Sequence, residues 1–520
     1  PDFQLEADLG IDTVKQAEIF SVIRQRYGIK QDEDFKLADY QTLNAICDFV
    51  MSNMGTEPRD PEPTKEAKPD SQTSILTGTF SVDKVGVVEA PAMAQGEVAL
   101  VGKQFLLVAQ NEAVRSAVEN ELSVRGATST AASSWEQACE LVAAQSFSGL
   151  VCVSNKTTSS AQAALELEGA FETIRLLALK RSGEMDGVCL LLVTESNGVF
   201  GALTPIAEGE LAAGYAGIAK SLTKEWPKAR SLALDTDGRS APALAKAMLD
   251  ELQSEGPSEI SWHAGKRLTL QRVESLEQLN VEENQVQTVV ATGGARGVTF
   301  EILRNMAQTA PRNFIIMART VGGSVEESPI SGRSAKEQKE IAKATLAAKG
   351  DRVTPVTIRR WIEKQERQLE VTANMEALET LGSKVQVLQC DVADALSVER
   401  AIQTTCSQYE KIDLLIHGAG FEESKFIHQK DENSFGWTFK PKAASLQVLT
   451  SGLKPVRVMT MGSVAGRFGN AGQADYSASN EWLAASARSS DSNILNVCWT
   501  AWADVGMATR GSVQQVLEAS

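Results

Sequence analysis

The chain has 520 residues, a net charge of −16 and a hydrophobic content of 43%. This length predicts several domains, and the ordinary apolar fraction excludes a mainly disordered chain. The negative charge excludes broad electrostatic binding to nucleic acid or to an anionic membrane surface. Three histidines and seven scattered cysteines, with no C-x-x-C pair, argue against a metal site and a disulfide framework. No apolar run reaches the roughly 20 residues of a membrane-spanning helix, so we predict a cytoplasmic location.

Two segments come first along the chain. In residues 1–54, apolar side chains recur at helical spacing, which predicts a small all-α domain. Residues 56–72, TEPRDPEPTKEAKPDSQ, contain four prolines and eight charges. This composition is typical of an extended, solvated linker, and we assign residues 55–97 to that linker.

Residues 98–280 alternate buried-strand signals such as FLLVA, GLVCV and VCLLLV with helical segments. This alternation is typical of an α/β fold, with a parallel sheet covered by helices. The turn after the first strand, AQNEAV, contains no glycine, so its backbone cannot easily approach a pyrophosphate. We therefore predict a Rossmann-like subdomain with a structural role.

Residues 281–520 repeat this pattern, now with a glycine-rich turn, because VQTVVA leads into TGGARGVT. Further strands are predicted in NFIIMA, VQVLQC, DLLIHGAG, VRVMTMGS and NVCWTAW. Charged helical sequence at about 324–380 exceeds the length of one crossover helix and predicts an inserted helical pair. The predicted fold class is α/β, with two Rossmann-like doubly wound subdomains, one structural and one catalytic, and the small all-α domain at the N-terminus.

The turn TGGARG joins a predicted strand to a predicted helix. Glycines at such a turn let backbone N–H groups and the helix dipole face a phosphate. Thr299 departs from the dinucleotide fingerprint, since a closing glycine is expected there. The predicted cofactor-binding residues of this turn are Thr292, Gly293, Gly294, Arg296 and Gly297.

Arg319 follows the next predicted strand, NFIIMA. At that point an acidic residue would bind the ribose 2′-hydroxyl of NAD, whereas an arginine accommodates the 2′-phosphate of NADPH. Arg296 can add a second guanidinium group. We therefore predict NADPH as the cofactor, with ordinary surface arginines as the alternative interpretation.

Ser463 in MGSVAG and Tyr476 in GQADYSASN lie thirteen residues apart. Reduction of a carbonyl by hydride needs a proton donor and a hydrogen-bond donor at the developing oxyanion. Tyr476 can supply the proton, and Ser463 can hold the oxygen. Because a free tyrosine has a pKa of about 10, a nearby cation is needed to lower it. Asn480 lies four positions after Tyr476, so the cation must come from elsewhere, and Lys442 in FKPKAASL is the candidate.

These segments resemble the ketoreductase domains of modular polyketide synthases, a branch of the short-chain dehydrogenase/reductase superfamily. TGGARGVT, QCDVAD, IHGAG, PKAAS, MGSVAGRFG, GQADYSASNEWLAA and CWTAWADVGMA match in order over residues 286 to about 510. In that branch the lysine and the asparagine exchange places, as Lys442 and Asn480 do here. YAGIAKSLTKEWP is similar to the structural subdomain that precedes these reductases. The resemblance implies that Asp391 and Val392 flank the adenine, and that further cofactor contacts come from Gly418, Ala419, Gly420, Val505, Gly506 and Met507.

The glycine-rich turn and the helical insertion resemble the reductases of iterative polyunsaturated fatty acid and enediyne synthases more than those of modular synthases. The stereochemical signatures of the family are absent. FEES stands in place of the L-D-D motif, with Ser424 at its diagnostic position, and Phe468 replaces the tryptophan of the other type.

LEADLGIDTVKQAEIFSVIRQRYGI resembles an acyl carrier domain, in which a serine at the start of the second helix carries phosphopantetheine. Thr13 stands at that position. Either Thr13 carries phosphopantetheine, or it only caps a helix, because Thr13 and Gln16 fit a capping box. The first helix of the carrier family and the end of the reductase lid are absent, so we expect a piece of a longer multienzyme.

The predicted function is NADPH-dependent reduction of a β-ketoacyl thioester to a β-hydroxyacyl thioester in a polyketide or fatty acid megasynthase. The predicted partners are an acyl carrier domain that bears the β-ketoacyl thioester and the other domains of the multienzyme. One alternative is a non-catalytic carrier-docking or structural module with a vestigial reductase. The other is a free-standing reductase of a diffusible ketone.

Overall fold

The computed structural model describes residues 83–93, 96, 98–154, 159–196, 198–203, 206–274, 286–322, 328–488, 493–502 and 505. The predicted carrier-like domain at 1–54 and most of the predicted linker lie outside these residues. So do Thr13, Gly506 and Met507. In the described part of the chain, no helix is both long enough and apolar enough to cross a membrane.

The first subdomain is built on a sheet with eight described strands. They are β1 (Asp83–Glu89), β2 (Gln104–Ala109), β3 (Thr128–Ala132), β4 (Gly149–Val153), β5 (Cys189–Thr194), β6 (Arg230–Thr236), β7 (Glu259–His263) and β8 (Lys266–Glu274). The sheet order is β1-β8-β7-β6-β5-β4-β2-β3. Strands β2 to β7 pair in parallel, and β8 runs antiparallel to both β7 and β1. Strand β1 falls within residues 55–97, so the sheet begins before residue 98, in a stretch that we assigned to the linker.

Helices cover both faces of this sheet. They are α1 (Glu112–Val124), α2 (Trp135–Ala144), α3 (Ser160–Lys180), α4 (Ile206–Glu225) and α5 (Ala241–Gln253). Asn111, Ser134 and Ser159 cap the first three helices through their side-chain oxygens, which accept backbone N–H groups. Strands β4 and β5 are buried along their whole length, as expected for central strands of a parallel sheet.

The second subdomain has six described strands, all of them parallel. They are β9 (Thr288–Thr292), β10 (Asn313–Ala318), β11 (Lys384–Gln389), β12 (Leu414–His417), β13 (Arg457–Ser463) and β14 (Ile494–Trp499). Their order is β11-β10-β9-β12-β13-β14. The strand order reverses between β9 and β12, and ligands of such sheets bind at that point, beyond the carboxyl ends of the strands. The predicted α/β fold class, with two Rossmann-like subdomains, is confirmed.

The later helices are α6 (Gly297–Thr309), α7 (Ala335–Ala348), α8 (Pro355–Thr380), α9 (Ala395–Gln408), α10 (Ser434–Phe439), α11 (Ser445–Leu453), α12 (Val464–Phe468) and α13 (Ala474–Arg488). Helices α7 and α8 lie in the stretch for which we predicted an inserted helical pair. Ser334 and Glu337 form a capping box at the start of α7. Ala342 and Leu346 of α7 pack with Ile358 of α8, and residues 326–367 belong to a different compact unit from the two sheets.

Helix α4 of the first subdomain packs directly on α13 of the second. At Gly217, a β-carbon would lie 2.6 Å from the carbonyl oxygen of Ser477 and 2.7 Å from the backbone of Ala478. Such a contact is shorter than van der Waals packing allows, so only glycine permits this approach. The apolar core around α4 also includes Ala478 and Trp482 of α13, so the two subdomains share one core.

A buried ionic cluster lies at the same junction. Lys220 of α4 lies 3.0 Å from Glu259 of β7 and 3.5 Å from Glu481 of α13. Arg467 pairs with both carboxylates, and Arg488 lies 2.8 Å from Glu481. Burial alone would raise the pKa of Glu481, but the nearby cations hold it well below its usual range. The cluster therefore joins the two subdomains through buried ion pairs, and removing one charged group would leave its partners buried without a counter-charge.

Candidate active site

The carboxyl edge of the second sheet collects the predicted site residues from neighbouring strands. The glycine-rich turn follows β9, and Ser463 ends β13. The strand order then sets the other predicted residues in a row along this edge. Asp391 lies beyond β11, Arg319 beyond β10, and Gly418, Ala419 and Gly420 beyond β12.

The glycine-rich turn is locked against the loop after β12. The N–H of Gly418 donates to the carbonyl oxygen of Thr292 at 3.0 Å, and the N–H of Ala419 donates to Thr292 Oγ1 at 3.1 Å. Gly293 has a φ of +67°, and a β-carbon there would lie 2.8 Å from the carbonyl oxygen of Gly418. Both the backbone conformation and the close approach therefore require glycine. Gly297 begins α6, so the turn presents the N-terminus of this helix.

The two predicted phosphate-binding arginines differ in their surroundings. Arg319 is exposed and has no ion-pair partner in the described part of the chain. Arg296 instead donates from Nη1 to Glu370 Oε2 of α8 at 2.8 Å. Arg319 is therefore the more available cation for a 2′-phosphate.

The two residues predicted to flank the adenine, Asp391 and Val392, also differ in their surroundings. Asp391 is exposed, and its Oδ1 accepts the N–H of Ala393 at 3.0 Å. Val392 is buried among apolar side chains of the second subdomain. Val505 lies beside Trp502 in an isolated antiparallel bridge. The structure thus brings Asp391 to the carboxyl edge but turns Val392 mainly into the core.

His417 was not among the predicted site residues, and it connects the glycine-rich turn to Lys442. Burial lowers its pKa to about 4, so the ring is neutral at pH 7. Nε2 lies 2.9 Å from the carbonyl oxygen of Lys442 and therefore carries the ring proton. Nδ1 lies 2.8 Å from Thr292 Oγ1 and accepts its hydroxyl hydrogen. Because the ring is neutral, the carbonyl acceptor at Nε2 places the single ring proton there and leaves Nδ1 as the acceptor.

Lys442 lies in a π-helical turn, Lys440–Ala444, of the kind that often marks functional positions. Its ammonium group is buried, and Nζ donates to the carbonyl oxygen of Met461 at 2.8 Å. Burial lowers the pKa of Lys442 to about 8. Nζ lies 5.3 Å from the ring centroid of Tyr476. The predicted cation therefore stands over the face of the tyrosine.

Tyr476 lies in the first turn of α13 and is 9% exposed. Burial first, and then the negative charge of Glu422, raise the pKa of Tyr476 to about 12, whereas the side chains of Ser463 and Asn480 act to lower it. Ser463 Oγ accepts the N–H of Ala465 at 3.2 Å, which fixes the serine at the start of α12. Asn480 Nδ2 donates to the carbonyl oxygen of Tyr476 at 2.8 Å, one helical turn away.

A carboxylate from the first subdomain holds two loops beside this site. Glu225, at the end of α4, accepts the N–H of Ile427 at 2.8 Å and the N–H of Gly472 at 3.1 Å. The N–H of Lys425 donates to the carbonyl oxygen of Gly472 at 3.0 Å, which joins the loops to each other. Burial raises the pKa of Glu225 to about 7. No sequence pattern indicated this role, because an acidic residue at a helix end is normally solvated.

The donor set fits a dinucleotide. The glycine turn offers backbone N–H groups at a helix N-terminus, and Arg319 lies at the next strand end. Asn480 Oδ1 and Trp499 Nε1 are buried and have no hydrogen-bond partner among the described residues. Buried polar atoms normally have partners, so these two atoms are available to a bound group.

A doubly wound sheet with a glycine turn, and with a serine, a tyrosine and a lysine near its carboxyl edge, is the arrangement typical of short-chain dehydrogenase/reductase domains. Residues 287–505 match the KR domain family, whose members use nicotinamide cofactors. The resemblance to ketoreductases that the motifs indicated is confirmed for this part of the chain.

Two curated relatives are similar to part of this chain. One of the subunits of the polyunsaturated fatty acid synthase from Thraustochytrium sp. is 28% identical over 235 residues, which is 42% of this chain and 8% of the relative. Polyketide synthase PksL of Bacillus subtilis is 30% identical over 156 residues, or 28% of this chain and 3% of the relative. The chain therefore spans only a small part of the curated relatives that it matches.

Solved structures show the same fold over a longer range. A ketoreductase domain from the bacillaene assembly line aligns with a TM-score of 0.56 and 16% identity, covering 84% of this chain and 89% of that one. A C2-type ketoreductase from a modular polyketide synthase aligns with a TM-score of 0.58 and 18% identity, covering 85% and 88%. At this coverage, both subdomains share the ketoreductase architecture.

Proposed function

We propose that the chain is an NADPH-dependent reductase that converts a β-ketoacyl thioester to a β-hydroxyacyl thioester within a polyketide or fatty acid megasynthase. The substrate is carried by an acyl carrier domain, and the other domains of the multienzyme are its partners. The observation that carries this proposal is the convergence of Ser463, Tyr476 and Lys442 at the carboxyl edge, next to the glycine turn. A cytoplasmic location remains a prediction from the sequence.

Each residue has a separate task in this reaction. The glycine turn and Arg319 would hold a nicotinamide dinucleotide, which would supply the hydride for the carbonyl carbon. The Ser463 hydroxyl donates a hydrogen bond to the carbonyl oxygen, on which negative charge develops. Tyr476 gives its phenolic proton to that oxygen, and the ammonium group of Lys442 stabilises the phenolate that forms. Arg319 accounts for the preference for NADPH, since it lies at the end of β10 with no ion-pair partner among the described residues.

The experiment is NADPH oxidation in the presence of a β-ketoacyl cysteamine thioester. Because a positioned general acid contributes about 100- to 10,000-fold to rate, Tyr476→Phe should lose at least about 100-fold in kcat. Tyr409→Phe is the matched control, because Tyr409 caps the end of α9 and lies outside the site. Equal turnover by wild type and Tyr476→Phe would exclude this mechanism.

A further inference from the structure

Glu422 is a buried carboxylate in the loop that follows β12. Its side chain is only 5% exposed. Oε1 accepts a hydrogen bond from Gln473 Nε2 at 2.9 Å and another from the Ser424 hydroxyl. Oε2 is buried and has no hydrogen-bond partner among the described residues. One oxygen is therefore fixed firmly, while the other is left unpaired in a medium of low dielectric constant.

The partners of Glu422 tie it to the catalytic tyrosine. Gln473 immediately precedes α13 and lies three residues before Tyr476. Gln473 Nε2 also lies 2.9 Å from Ser424 Oγ, so the three side chains form a closed cluster. Glu422 thus keeps a fixed position relative to the first turn of α13, where the phenol originates.

An unpaired buried carboxylate is costly, because water no longer solvates its charge. Such a group acts strongly on its neighbours for the same reason, since little solvent screens it. Its effect on the phenol has a definite sign. A negative charge beside a tyrosine disfavours the phenolate, and the charge of Glu422 does raise the pKa of Tyr476.

The other titratable groups around the phenol either favour the phenolate, are paired with an opposite charge, or are neutral. Lys442 supplies a cation from the π-helical turn and favours the phenolate. Asp475, the residue before Tyr476, is paired with Lys430 at 3.0 Å. Burial keeps the side chains of His417 and Cys498 neutral at pH 7, and Glu481 is surrounded by cations.

The groups that face the loop of Glu422 are also paired. Glu423 lies 2.8 Å from Lys425, and both side chains are partly exposed to solvent. Glu225 accepts two backbone N–H groups from the neighbouring loops. Among the described residues around Tyr476, Glu422 therefore stands out as a buried carboxyl group that has an unpaired oxygen and no ion-pair partner.

We propose that Glu422 is a positioning residue for proton transfer, whose carboxylate, fixed by Ser424 and Gln473, keeps the phenolic proton on Tyr476 until the substrate carbonyl accepts it. This inference rests on the proposed reduction. In that step hydride forms the C–H bond at the carbonyl carbon, and the O–H bond of Tyr476 breaks as its proton moves to the carbonyl oxygen. The phenolate then regains a proton from solvent. Glu422 opposes earlier loss of that proton, whereas Lys442 stabilises the phenolate once it has formed.

The direct test is a titration of Tyr476 that needs neither substrate nor cofactor. The chain has five tyrosines, so uniform incorporation of a fluorinated tyrosine gives few ¹⁹F NMR signals, and Tyr476→Phe assigns the one of interest. Because the fluorinated phenol is more acidic, its titration falls at a lower pH than that of tyrosine itself. Glu422→Gln should lower the midpoint by about one pH unit, a tenfold change in proton affinity. Glu423→Gln, which removes the same charge one residue away, should leave the midpoint unchanged.

A midpoint that is the same in wild type and Glu422→Gln would overturn the inference, as would an equal shift in Glu423→Gln. The role of Glu422 in the reaction is tested by measuring how kcat for the reduction of trans-decalone depends on pH, with the same fluorinated proteins. The alkaline limb should move down in Glu422→Gln by the amount seen in the titration, and an unmoved limb would overturn that role. Absence of any turnover in wild type, with the titration shift intact, would contradict the proposed function instead.

Discussion

Glu210 offers a test of how the two subdomains are joined. This carboxyl group of α4 accepts a hydrogen bond from Ser160 of α3 at 2.6 Å and another from Ser486 of α13 at 2.7 Å. Burial raises its pKa from 4.5 to about 7. The folded protein therefore binds this proton more tightly than the unfolded chain does. The stabilising contribution is complete below about pH 4.5 and is lost as the pH rises through about 7.

The size of the effect follows from the pKa change. Raising a pKa from 4.5 to about 7 corresponds to about 3 kcal/mol between the two protonation states. Glu210→Gln stays neutral at every pH and can still bond to both serines. Relative to this variant, wild type should therefore lose about 3 kcal/mol of unfolding free energy between pH 4.5 and pH 8.

The assay is urea denaturation of both proteins at several pH values in that range, because the comparison cancels the titration of all other groups. Glu140→Gln is the control, since Glu140 lies on α2, away from the junction between the subdomains. Its unfolding curve should follow that of wild type throughout. A constant separation between wild type and Glu210→Gln at all pH values would refute the reasoning.

Three further predictions concern other charged contacts. Glu225→Gln leaves one N–H of Ile427 or Gly472 without its acceptor, which costs about 1–3 kcal/mol and should lower kcat/KM about 5- to 150-fold. NADPH affinity measured by calorimetry should not change, and a selective loss of that affinity would contradict the role of Glu225 in holding the two loops. Glu481→Gln leaves buried cations unpaired and should lower the unfolding free energy by about 3–5 kcal/mol in urea denaturation. An effect below about 1 kcal/mol would contradict the claim that these ion pairs stabilise the junction between the subdomains. Arg319→Ala should weaken NADPH binding about 10- to 100-fold and leave NADH binding unchanged, and equal losses would argue against a 2′-phosphate contact.

The sequence allowed the prediction of features that depend on local pattern. Continuous apolar runs such as those of β4 and β5 indicate central strands because both faces of a parallel sheet are buried. Ser463, Tyr476 and Lys442 could be predicted because carbonyl reduction requires a hydrogen-bond donor, a proton donor and a nearby cation. The glycine turn could be predicted because glycines between a strand and a helix let backbone N–H groups face a phosphate.

Features that depend on distant contacts could not be predicted in this way. Strand β1 pairs with β8 across about 180 residues of chain, and only two of its described residues, Gly86 and Val88, are partly buried, so no strong apolar signal marks it. Glu225 and Glu422 look like solvated acids in the sequence, and only the packing of the two subdomains and of the loops buries them. Arg296 matched a phosphate-binding role by position, but the inserted helix α8 supplies Glu370, which pairs with it.

The central claim is that this site delivers hydride and proton to a thioester-bound β-ketone. The most direct measurement is the transfer of deuterium from NADPH that carries deuterium at both C4 positions of the nicotinamide ring to the β-carbon of a β-ketoacyl cysteamine thioester, followed by mass spectrometry in a single turnover. Wild type and Tyr409→Phe should yield a β-hydroxyacyl product that carries one deuterium, and Tyr476→Phe should yield at least about 100-fold less in the same time. Unlabelled product, no product from wild type, or equal yields from wild type and Tyr476→Phe would contradict the account.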